Sequence, residues 1–197
     1  VLQFEFLSIG KRGELLSCLV AAWNHGIESA FLQDQWEKVD ISNPENWKEA
    51  LQIVQNEEEK KNVSVVTSFI GAKKLFPAFP KFENSDEEII RATSRWFTLL
   101  DDFLDLREDQ TLHLPNYFFP FSMRNSEYQN LCELVESRKT GQISLRSLRS
   151  FCPKTYDLYL HEYRKSRRRF IKTFPVLSVL FALAIEKRAL GKRESPF

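Results

Sequence analysis

Apolar residues return at three- and four-residue spacing along almost the whole chain, and Pro residues punctuate the runs. This period is that of a helix with one buried face, and it narrows the choice of folds more than any other feature. Between Glu14 and Val39 the repeat falls on Leu15, Leu16, Leu19, Val20, Trp23, Ile27 and Phe31, with Gly26 as a weak point. A second start signal follows, with Asn43 as N-cap, Pro44 at the first helical position and Glu45 in the first turn. Residues 62–76 are rich in β-branched side chains, but Val65, Phe69 and Ala72 keep a helical spacing and predict a helix. Pro77 and Pro80 then break the pattern.

From Asn84 or Ser85, acids in the first turn and the stripe Ile89, Ile90, Thr93, Trp96, Phe97, Leu100 and Leu104 predict the best helix, stopped by Pro115. Residues 115–126 read as a loop. Helices are expected again at 127–139, 144–151 and beyond Pro153, with Pro175 kinking or separating a last one. No stretch alternates with period two. The expectation is all-α: one antiparallel helical bundle over residues 1–197. An opening Val leaves room for a processed protein or a piece of a longer chain.

A chain with 43% hydrophobic and 28% charged residues is not disordered as a whole, and 17 Phe and four Trp can fill a large core or line a greasy pocket. The three cysteines, Cys18, Cys132 and Cys152, have no metal-ligand spacing and read as reduced thiols of a cytoplasmic protein. No P-loop, dinucleotide fingerprint or zinc-protease motif is present. The apolar run Phe174–Ile185 is too short to span a bilayer. It reads as a core helix in preference to a membrane-surface helix, which leaves peripheral membrane contact as the lesser option.

Charge is lopsided. From His161 onward ten Lys and Arg meet three acids, a formal +7, leaving −6 for the preceding 160 residues of a chain whose net charge is +1. Arg164, Arg167 and Arg168 share a helix face and could hold phosphate, while the acidic remainder argues against a broad nucleic-acid surface.

The acids concentrate in "TLLDDFLDLREDQTLHLPNYF", where Asp101, Asp105 and Asp109 stand at i, i+4 and i+8, flanked by Asp102 and Glu108. Like charges stacked on one helix face repel by a few tenths of a kcal/mol per pair. Arg107, helped by Arg91 or Arg95, could offset part of this. A hard cation would offset it directly, and magnesium is usually held by one or two carboxylates plus substrate phosphates. Metal ions that take up charge on a leaving diphosphate, beside aromatic walls that shelter a carbocation, would use both parts of this segment.

The segment resembles the aspartate-rich helix of class I isoprenoid synthases, nearest to the bacterial large-terpene-synthase group (tetraprenyl-β-curcumene synthase-like). Asp101, Phe103, Asp105, Glu108, Asp109 and Asn116 match the pattern over about twenty residues. The resemblance implies an isoprenoid-synthase-like helical bundle that binds a prenyl diphosphate through Mg2+. It implies Asp101, Asp105 and Asp109 as catalytic residues, and Asp101, Asp102, Asp105, Glu108 and Asp109 as metal ligands. Arg164, Arg168, Asn116, Tyr117 and Phe97 would contact substrate. The second acidic motif of such enzymes is missing: Asp34, Glu37 and Asp40 read as a solvated face. The alternative from another class is a non-catalytic helical module that binds a protein partner through its basic C-terminal surface.

Overall fold

The structure, a computed structural model, describes residues 9–75, 84–137 and 143–173. Most of them are helical, and no strand occurs among them. The helices are α1 (Ile9–Trp36), α2 (Trp47–Leu75), α3 (Asn84–Leu104), α4 (Leu106–Leu112), α5 (Phe118–Arg124), α6 (Tyr128–Ser137), α7 (Leu145–Phe151) and α8 (Pro153–Thr173). The all-α expectation holds. The apolar run Phe174–Ile185, Pro77, Pro80 and the last four basic residues lie outside the described residues.

The entry to α2 follows its sequence signals. Asn43 accepts a hydrogen bond from the Glu45 amide and caps a 3-10 turn, Pro44–Asn46, that leads into the helix. The helix then continues to Leu75, so the β-branched stretch is helical as its apolar spacing predicts. α1 pairs with α2, α3 packs on α8, and α5 lies against α2 and α8.

The core is aromatic. Trp96 is fully buried and stacks on Phe170, centroids 5.0 Å apart and planes 15° from parallel, with Tyr163 and Phe97 beside it. Further along the same α3–α8 seam, Phe103, Phe118 and Tyr159 meet at centroid distances of 4.5–6.0 Å. The Tyr159 hydroxyl donates to the Leu99 carbonyl at 3.0 Å, which gives the buried polar end of the ring a partner.

Two sequence expectations are corrected. Residues 118–124 form a helix rather than a loop. Phe118 through Met123 are all buried, so the segment has no polar face and shows no amphipathic period. Pro120 sits in its first turn, where a missing amide costs little. The second correction concerns the acidic helix, which breaks at Asp105 instead of running on to Pro115. Asn116 explains the break: its Nδ2 donates to the Asp102 carbonyl at 2.7 Å. That carbonyl is the acceptor the Leu106 amide would use in an unbroken helix.

The start of α8 is capped from a distance. Glu127, 6% exposed, accepts from the Lys154 amide at 3.1 Å and from the Thr155 amide at 2.7 Å. A carboxylate at that end also suits the helix dipole, and Pro153 supplies the first position.

Candidate functional site

The acidic segment divides into an inner and an outer set. Asp102 turns its carboxylate inward, where Oδ2 accepts from the Tyr117 amide at 2.7 Å. Burial pushes its carboxyl well above the ordinary value, and the neighbouring Asp109 and Asp101 add to the shift. Asp109 is half-buried and accepts from Asn116 Nδ2 at 2.7 Å. Its carboxyl rises from 3.8 to about 6, chiefly through burial, with Asp105, Asp101 and Glu108 contributing against the lowering effect of the Asn116 hydrogen bond. Asn116 is fully buried and also receives the Phe118 amide on Oδ1 at 2.9 Å. Asp102, Asp109 and Asn116 therefore tie the break between α3 and α4 to the start of α5.

The outer set is Asp101, Asp105 and Glu108, all exposed. Asp105 stands at the break itself. Its carboxyl is raised by partial burial first, then by Asp101 and Glu108, so the three groups feel one another. Asp105 and Glu108 border an open hollow of about 420 Å³ with Leu104, Arg107, Thr111, Leu112 and Ile143. Lys61 of α2 also approaches from the other side: burial opposes its charge, but Glu57, Asp102 and Asp101 hold its pKa above the usual lysine value.

Among the described residues no three His, Cys, Asp or Glu side chains gather closely enough to form a metal cage. Magnesium needs fewer protein ligands when phosphate oxygens complete its shell. Asp101 and Asp105 are the acids that fit that use, because Asp102 and Asp109 already carry structural hydrogen bonds.

Of the residues expected to contact a substrate, Asn116 and Tyr117 are bonded to the inner acids Asp102 and Asp109, while Phe97, Arg164 and Arg168 lie elsewhere. Phe97 packs on Trp96 at 5.0 Å, and Tyr117 is wholly buried. The Tyr117 ring lies beneath the Arg95 guanidinium at 3.9 Å and beside Phe121. Its hydroxyl donates to Glu58 at 2.7 Å, and Arg95 forms an ion pair with the same carboxylate. Burial drives the Tyr117 pKa far upward, so the ring stays a neutral donor. Arg95 is thus engaged with Glu58, and Arg91 with Glu59 and Glu87. Neither offsets the acidic row as the sequence suggested. Glu58 and Glu59 supply the carboxylates that join α2 to α3. Asp34, Glu37 and Asp40 are exposed as expected, and Asp40 closes a turn through Ser42.

Arg164 and Arg168 lie on the outward side of α8. Its inward side is taken by Tyr159, Tyr163, Ser166 and Phe170, all buried. A groove of about 590 Å³ runs along the outward side, lined by Asp157, Leu160, His161, Arg164, Lys165, Arg168, Arg169 and Lys172. It shares no lining residue with the hollow beside Asp105. Sequence reasoning missed Glu58 and Glu127, whose roles depend on partners tens of residues away. The run of three acids Glu57–Glu59 is the signal that could have found the first.

Comparison with known proteins finds no matching family model, no matching curated protein and no matching solved structure. No helix among the described residues is long and apolar enough to cross a membrane.

Proposed function

We propose that the chain is a helical interaction module that takes an acidic protein segment along the outward side of α8. The observation that carries this reading is the groove lined by Arg164, Lys165, Arg168, Arg169 and Lys172, with Asp157 as its one acid. The opposite side of the same helix supplies the core, and these side chains stand on its exposed side. A one-signed groove raises the local concentration of oppositely charged segments and speeds their encounter. Guanidinium groups can also hold carboxylates in bidentate fashion.

A fluorescent oligoglutamate peptide supplies the test, titrated at low and moderate salt. Binding should weaken at least tenfold in Arg164→Glu/Arg168→Glu and fall steeply as salt rises. No binding by the parent chain, or equal binding by the double variant, defeats the reading.

The magnesium–diphosphate reading is the second proposal, and the repulsion among neighbouring acids, which adds to burial in raising Asp105 and Asp109, favours it. Asp105, at the edge of the open hollow, would hold the ion together with Asp101 one turn earlier, which sets this site apart from an enclosed apolar cavity. A prenyl diphosphate with magnesium should then raise the melting temperature, and Asp101→Asn/Asp105→Asn should abolish the rise. An unshifted melting temperature in the parent chain rules it out.

A further inference from the structure

α1 buries one side against α2 and leaves the other uncovered by the described residues. Leu16, Leu19, Val20, Trp23, Ile27 and Phe31 are all large, apolar and exposed, and Trp23 is 73% open. They are not scattered. Leu16, Val20, Trp23 and Ile27 follow a 4-3-4 spacing, which is the d-a-d-a seam of a two-stranded coiled coil. Leu19 and Phe31 widen the seam on its flanks. No formally charged residue occurs between Glu14 and Glu28, so covering this stretch desolvates no charge.

We infer that this face of α1 is a self-association surface, covered by α1 of a second copy of the chain. The size of the patch supports this. Six side chains of this kind at these exposures present roughly 600 Å², at the upper end of the largest patches that monomers show, and close to the ~800 Å² a side of a stable interface once a rim is added. The pattern is also self-complementary. About a two-fold axis between Val20 and Trp23, an antiparallel copy sets each a position against a d position, Val20 against Trp23 and Leu16 against Ile27. Because the face is uncharged, this pairing brings no like charges together.

A lipid surface fits less well. Helices that lie in a bilayer interface carry Lys and Arg on their polar side, whereas the other side of α1 is occupied by α2 and residues 13–27 contain no Lys or Arg.

The experiment is sedimentation equilibrium on the full chain across a concentration series. The expected result is twice the 23.2 kDa chain mass at micromolar concentration. Trp23→Glu and Val20→Glu should each raise the dissociation constant at least tenfold, with unchanged helical circular dichroism, while Trp23→Phe keeps the dimer. A parent chain that sediments as a monomer overturns the inference, as does a dimer that both charged variants leave intact. A monomer that binds phosphatidylcholine vesicles through Trp23 also overturns it, and assigns the face to lipid. The acidic-peptide titration uses α8 alone, so the two ideas fail separately.

Discussion

Asn116 Nδ2 lies 2.7 Å from Asp109 Oδ2, and the same nitrogen lies 2.7 Å from the Asp102 carbonyl. One buried amide therefore holds both sides of a helix break. Asn116→Ala should cost about 2–4 kcal/mol, since it orphans the Asp102 carbonyl and the Phe118 amide as well as the Asp109 contact. Asn116→Asp should cost more, because it adds a third carboxylate to Asp102 and Asp109. The urea midpoint of each variant checks the order.

Asp109 makes stability pH-dependent in a defined direction. Its folded pKa of about 6 lies above the ordinary 3.8, so the folded state holds the proton more tightly than the unfolded chain. Ionisation is a full penalty above pH 6, and the penalty is relieved as pH falls from about 7 towards 4. Asp102 and Asp105 act in the same sense. The shift is worth about 3 kcal/mol at face value, and solvent access to a half-buried group reduces this to about 1 kcal/mol. Asp109→Asn keeps an acceptor for Asn116, so it should raise stability at pH 7 and flatten the rise below it. Chemical denaturation at pH 5 and pH 7 reads both effects.

The Glu58–Arg95 pair and Tyr117 should respond unequally to substitution. Arg95→Met leaves Glu58, 11% exposed, without its cation, and should destabilise by about 3–5 kcal/mol. Tyr117→Phe removes one hydrogen bond while the ion pair persists, and should cost about 1 kcal/mol. A similar cost for both would show that the ion pair is not the main tie between α2 and α3.

Glu127→Ala should destabilise by about 1–2 kcal/mol through loss of the α8 cap, and Glu127→Gln by less, since one acceptor oxygen remains. Thermal melts followed at 222 nm give the comparison.

How legible these features are in the sequence depends on how far apart the partners sit. Asn43, Pro44 and Ser144 announce their helix starts within three residues, and the apolar stripe from Ile90 to Leu104 announces its own burial. The break at Asp105 is not announced, because its cause is Asn116, eleven positions on. α5 escapes notice for another reason: a helix buried on every side has no polar face to reveal a period. The acidic row at 101–109 is legible as a concentration of charge. Its division into two structural carboxylates and three exposed acids follows from the break, and a straight-helix projection cannot foresee it.

Glu127 and Thr155 have a consequence for how the chain can vary. Their contact brings together the two ends of the stretch that carries α6 and α7, so that stretch starts and ends at one fixed point. Its closure is made by the Glu127 carboxylate, not by the length of the connection. Lengthening such an excursion costs little, about 0.6 kcal/mol for each doubling. Residues can therefore be added to or removed from the α6–α7 connection while α8 keeps its register against Trp96 and Phe103. The clasp makes that connection the place where the molecule can change size without changing its core.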